Sequence, residues 1–100
     1  MKKLTAVAVI TVAMAIGTST AHAENVDCQS ISEMAEQVMK NRQAGVPLAR
    51  MAELLKDNNL YMAMVEEAYR SIRYSTARVQ QRAVTEMGNR WYLACLEANR

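Results

Sequence analysis

The chain has 100 residues, 51% of them hydrophobic and 22% charged, with 12 lysines and arginines against 10 aspartates and glutamates, one histidine and two cysteines. That length holds one small domain with a marginal core. The near-even charge argues against a protein that binds nucleic acid through a basic surface, and the scarcity of histidine argues against most acid–base and zinc chemistry.

The first 23 residues read as an export signal. Lys2 and Lys3 form a positive n-region, the 13 residues Leu4 to Ile16 an uncharged apolar stretch, and Ala21-His22-Ala23 a small-x-small cleavage site. The apolar stretch is shorter than the roughly 20 residues a membrane-spanning helix needs. No later stretch comes close, so no transmembrane span is expected in the mature chain. Cys28 follows Glu24-Asn25-Val26-Asp27, which is not a lipidation context. The expected product is residues 24–100, soluble in the periplasm of a Gram-negative cell or secreted beyond it, with an uncleaved signal anchor as the alternative. Removing residues 1–23 takes away Lys2, Lys3 and His22, leaving ten bases, ten acids and no histidine.

Cys28 and Cys95 lie near the two ends of the mature chain. In an oxidising compartment, two cysteines in a small chain read as one intramolecular disulfide. There is no CxxC spacing and no histidine to complete a metal site, so no metal and no cofactor are expected.

The mature part reads as a single helical domain. The spacing predicts a first helix from Ser30 to Ala44, opened by a Ser30/Glu33 capping box and ended at Gly45. Ile31, Met34, Ala35, Val38 and Met39 form its apolar face; Ser32, Glu33, Glu36, Gln37 and Lys40 face water. A second helix runs from Pro47 to Asp57, with Leu48, Met51, Leu54 and Leu55 as its stripe and Asn59 capping the next. The third, Leu60 to Arg73, opens with an all-apolar turn and buries Ala68, Tyr69 and Ile72, the pattern of a central helix. The fourth, Thr76 to Glu97, lines up Val79, Ala83, Met87, Trp91, Ala94 and Cys95, with Gly88 marking a kink or a close helix crossing. Short connections allow antiparallel neighbours. The fold class is therefore all-α: a small four-helix bundle, orthogonal or up-down, closed by one disulfide.

Catalysis is not expected. The paired carboxylates Glu33/Glu36 and Glu66/Glu67 read as solvated helix charges, and the serines and threonines have no base nearby in sequence. The six methionines of the mature chain suit soft copper, but most fall on core stripes, where methionine fills gaps.

Charge is unevenly distributed. Residues 24–67 carry eight acids and four bases; residues 68–100 carry two acids and six bases, all arginine. Arg70, Arg73, Arg78, Arg82 and Arg90 interleave with Tyr69, Tyr74, Trp91 and Tyr92. One reading is internal complementarity between the two halves. The other is a partner-binding patch of Arg70, Arg73, Tyr74, Arg78, Arg82, Arg90, Trp91 and Tyr92, residue types enriched at binding hot spots. The mature chain is expected to be a monomer or weak dimer.

The pattern Cys28…Arg42-Gln43-Ala44-Gly45-Val46-Pro47-Leu48…Ala68-Tyr69…Tyr74-Ser75-Thr76…Gln80-Gln81-Arg82-Ala83…Tyr92-Leu93-Ala94-Cys95 resembles small exported two-cysteine helical proteins of bacterial and prophage genomes. The resemblance implies fold and export and carries no activity. In architecture the chain is also similar to the acid-activated periplasmic chaperones, which are small, helical and held by one disulfide, although here the cysteines bracket the domain. Protonating ten carboxylates near pH 2 would leave about +10 on the side chains, a self-repulsion that loosens small folds. The expected role is a non-enzymatic interaction protein binding another envelope protein, as an inhibitor, immunity or exclusion factor, or modulator. The alternative is a periplasmic stress chaperone activated by acid.

Overall fold

The computed structural model describes residues 27–100; the expected export signal and its expected cleavage site lie outside the described residues. Four helices follow in order: α1 (Cys28–Gln43), α2 (Leu48–Leu55), α3 (Asn59–Arg70) and α4 (Ala77–Ala98). Among the described residues there is no strand, and no helix is long and apolar enough to cross a membrane.

Helix α1 starts two residues before the expected position. Asp27 is its N-cap: Oδ1 accepts from the Gln29 amide at 3.0 Å, and Oδ2 accepts from Ser30 Oγ at 2.9 Å. The Ser30/Glu33 capping box is therefore not formed, and Glu33 accepts from Gln29 Nε2 instead. Aspartate and serine cap about equally well, and the carboxylate adds a favourable charge at the positive end of the helix dipole. It also brings Cys28 inside the helix, where its position is fixed. Cys28 and Cys95 form a disulfide, with Cα atoms 5.5 Å apart across 67 residues of sequence.

The C-terminus of α1 follows the sequence reading. Gly45 has φ +90°, its amide donates to the Arg42 carbonyl, and the Val46 amide donates to the Asn41 carbonyl. This is a Schellman end, and its left-handed residue favours glycine.

Helices α1 and α4 run antiparallel over their full length. Cys28 meets Cys95 at one end, Ser32 Oγ donates to the Gly88 carbonyl in the middle, and Lys40 and Gln43 lie beside Ala77, Gln80 and Val84 at the other end. Helix α3 also packs on α1, α2 packs on α3, and Glu67 joins α3 to α4, so α1 and α3 together form the middle of the bundle. With Leu60 at the disulfide end and Tyr69 at the C-terminal end of α1, α3 runs parallel to α1, which gives the up-down order.

The core is formed by Ile31, Ala35, Val38 and Met39 of α1, Met51 of α2, Met64, Val65 and Ala68 of α3, and Val84, Met87 and Cys95 of α4. Met39, Met64 and Met87 are its largest fully buried side chains, with Met34 and Met62 packed against it. The methionines are packing residues.

Several stripes depart from expectation. Leu48 and Leu54 of α2 are 49% and 69% exposed, because α2 packs chiefly on α3 and turns only Met51 fully inward. Asn58, not Asn59, caps α3, accepting from the Tyr61 amide at 3.0 Å. Helix α3 ends at Arg70 rather than Arg73, and Ile72 is exposed rather than buried. On α4 the buried line runs through Val84, Met87, Gly88 and Cys95, so Val79 and Ala83 are half-buried and Ala94 is exposed.

Gly88 sets that rotation, because it is the close crossing of α1 and α4. A Cβ there would lie 2.5 Å from Glu36 Oε2 and 2.6 Å from Glu36 Cγ. Ser32 and Glu36, expected to face water, thus face α4. Alanine at position 88 would gain about 1 kcal/mol in helix propensity but must displace Glu36. Gly88→Ala alone is therefore expected to give no net gain in urea unfolding. The same change in a Glu36→Ala background is expected to stabilise by about 1 kcal/mol, a coupling that a double-mutant cycle reads directly.

Candidate interaction surface

The eight residues of the expected patch do not form one surface. Arg70 is exposed, with its guanidinium 3.8 Å from Glu66 one turn earlier. Arg73 and Tyr74 belong to the connection between α3 and α4 and are tied to the C-terminal turn of α1. Arg73 Nε donates to the Gln43 carbonyl at 3.0 Å, and its guanidinium lies so close to Gly45 that a Cβ there would be 2.9 Å from Nη2. The Tyr74 amide donates to Gln43 Oε1 at 2.8 Å, and the Tyr74 carbonyl accepts from Gln80 Nε2.

Gln43 is the organiser of this end. It is 3% exposed, and its Nε2 donates to the Ile72 carbonyl at 2.9 Å. Beside it Arg42 donates from Nε and Nη2 to the Ser71 carbonyl at 3.3 and 3.1 Å. Side chains of α1 thus take up the carbonyls of Ser71 and Ile72, and the chain leaves the helix three residues before the periodicity suggests. Such satisfaction is what lets a backbone stop being helical while partly buried.

Tyr69 completes the cluster. Its hydroxyl donates to the Val46 carbonyl at 2.6 Å, and the Arg42 guanidinium lies 5.2 Å from its ring centroid. Burial raises the Tyr69 hydroxyl above its ordinary value and outweighs the opposing pull of Arg42. The unfolded chain therefore ionises this tyrosine first as pH climbs past about 10, and stability falls from there through the folded value. Tyr69→Phe is expected to cost about 1 kcal/mol at neutral pH through the lost hydrogen bond. It should also flatten the alkaline decline, read as the dependence of the urea midpoint on pH above neutrality.

Glu67 of α3 holds two patch residues of α4. Its Oε2 accepts from Arg90, at 2.8 Å from Nε and 2.7 Å from Nη2, and its Oε1 accepts from Trp91 Nε1 at 3.1 Å. Arg90 and Trp91 thus join the two helices. Internal complementarity between the acidic and basic halves is real here, and it uses one carboxylate for two side chains.

Arg78 and Arg82 are different. Both are exposed on the N-terminal half of α4, one turn apart and separated by about 40° around the helix. Each has its guanidinium free of any hydrogen bond or ion pair to the described residues. Tyr92, 36% exposed, lies farther along the same helix.

An apolar groove at the disulfide end was not foreseen. Ile31, Leu60, Trp91, Ala94, Cys95 and Ala98 line a cavity of about 170 Å³, open on one side. Asn99 closes its edge, with its amide 3.5 Å from Cys28 Sγ and 3.8 Å from Cys95 Sγ. Among the described residues no group of three or more His, Cys, Asp or Glu could hold a metal ion.

Of the residues that organise these sites, Gln43 had a signal in the sequence: it continues the line of Ala35 and Met39 at helical spacing, a polar side chain in a core position. Glu67 had none, since its partners are 23 and 24 residues away. Comparison with protein-family models, with curated proteins and with solved structures finds no match.

Proposed function

We propose that this chain is an exported, non-enzymatic interaction protein that binds another protein of the cell envelope, as an inhibitor, immunity or exclusion factor, or modulator. The observation that carries this reading is the pair Arg78 and Arg82. Arg73, Arg90 and Trp91 are occupied within the fold, whereas these two arginines project from a helix fixed to α1 and leave their guanidinium groups available. Arginine forks on a rigid helix suit carboxylates of an acidic partner, and they lose little freedom on docking. With the oxidised protein as bait in periplasmic extract at neutral pH, one stoichiometric partner is expected. Arg78→Glu/Arg82→Glu should abolish its capture while leaving the unfolding free energy within about 0.5 kcal/mol of wild type. Arg73→Ala is not a clean probe, because Arg73 anchors the connection between α3 and α4.

A stress chaperone is the second reading. It is favoured by the apolar side chains already on the surface: Leu54 at 69%, Ile72 at 67%, Leu93 at 62% and Leu60 at 43% exposure. That reading expects many weak clients captured in acid, at about pH 3, and none at neutral pH.

A further inference from the structure

The outward face of α4 between Glu86 and Arg100 is complementary to itself. Opposite the buried line of Val84, Met87, Gly88 and Cys95, the helix presents Glu86, Arg90, Leu93 and Glu97, and Arg100 follows two residues past its end, with spacings of four, three, four and three residues. That spacing keeps the five along one narrow seam, a single apolar residue flanked on each side by one acid and one base. Leu93, at its centre, is 62% exposed, while Arg90, Glu97 and Arg100 are 52%, 69% and 72% exposed.

We infer that this seam is the docking surface for a second copy of the chain, with the two α4 helices antiparallel and the twofold axis beside Leu93. Laid antiparallel about that residue, Glu86 faces Arg100 of the second copy, Arg90 faces Glu97, and Leu93 faces Leu93. Each heteropair occurs twice, as an isologous interface requires. The charges also exclude the alternative: a parallel pairing sets Glu86 against Glu86 and Arg90 against Arg90, and like charges opposed across an interface are strongly disfavoured.

The pairs each copy already makes are compatible with this arrangement. Arg90 uses Nε and Nη2 on Glu67, and a guanidinium has further donors for a second carboxylate. Glu97 and Arg100 are joined within one copy at 3.3 Å, a solvated contact worth little and readily exchanged. The contact spans about four helical turns, small for a protein interface, so the dimer is weak, concentration-dependent and salt-sensitive. Arg78 and Arg82 lie beyond the end of the second copy's helix and stay uncovered. The inference therefore does not rest on the proposed function.

Sedimentation velocity of the oxidised protein over a concentration series, at low and at high salt, tests it. Wild type should show a reversible dimer that weakens with salt. Leu93→Glu should leave only monomer. Glu86→Arg should raise the dissociation constant about tenfold, as should Arg100→Glu, because each turns two attractions into repulsions. The double variant Glu86→Arg/Arg100→Glu restores the charge order and should return to the wild-type constant. A wild type that stays monomeric at all concentrations overturns the inference. So does a dimer that ignores Glu86→Arg, or a double variant no better than its parents.

Discussion

Replacing both Cys28 and Cys95 by serine is expected to lower the unfolding free energy by about 4 kcal/mol. The bond closes a loop of 67 residues, and the chain-entropy cost of leaving that loop open in the unfolded state has about this size. A domain of this length has a total stability on the order of 5–10 kcal/mol, so the loss is a large share of it. The structure adds where the loss is felt first. Cys95 is a wall of the apolar groove, and Asn99 lies against both sulfurs. Without the bond, the last turn of α4 and the first turn of α1 should fray before the rest. Guanidinium unfolding of the oxidised protein and the double serine variant reads the free energy, and Trp91, which lines the groove, reports the local change by its fluorescence. A serine variant as stable as the oxidised protein would mean that the bundle is held by its core alone.

Gln43→Ala carries the second large effect, a loss of about 2–3 kcal/mol. Its side chain satisfies the Ile72 carbonyl and the Tyr74 amide at once, from a position 3% exposed, and the variant leaves both groups unpartnered in a half-buried setting. The expected signature is specific. Hydrogen exchange of the Tyr74 amide should accelerate in Gln43→Ala far more than exchange in the middle of α1, because the connection between α3 and α4 loses its attachment while α1 keeps its core contacts. Gln43→Glu is expected to be nearly as damaging: it keeps an acceptor for Tyr74 but sets a carboxylate oxygen against the Ile72 carbonyl. Equal acceleration across the whole chain would show that Gln43 acts on global stability and does not pin this connection.

The helices and the disulfide were legible in the sequence because they depend on local signals. Gly45 terminates α1 since a residue at φ +90° must be one that tolerates the left-handed region, Pro47 marks the next start, and the Asn58-Asn59 pair marks the one after, with the cap one residue earlier than expected. Antiparallel ends and paired cysteines point to the same closure. Helix ends set by distant partners were not legible. Helix α3 stops at Arg70 because Arg42 and Gln43, some 29 residues earlier, take up the carbonyls of Ser71 and Ile72. Periodicity alone carries Ile72 into the stripe. The start of α1 was misread by a competition between two caps, in which Asp27 wins over Ser30.

The residue types of the expected patch were legible in the sequence, and where the fold places each of them was not. Composition cannot distinguish an arginine that faces solvent from one that closes the fold. Arg73, Arg78 and Arg82 are equivalent in sequence, yet Arg73 is spent on the Gln43 carbonyl and the other two point outward. The apolar groove is formed by residues from α1, α3 and α4, so no local pattern announces it. Gly88 was read as a kink or a close crossing, and the contact with Glu36 decides for the crossing.

The measurement that tests the proposed role most directly is capture by the oxidised protein from periplasmic extract at neutral pH, run beside the Arg78→Glu/Arg82→Glu variant. Wild type is expected to hold one stoichiometric partner that the variant does not, with unfolding curves that superimpose. Equal capture by both proteins, or many weak clients held only in acid, would contradict a dedicated binder acting through the arginines of α4.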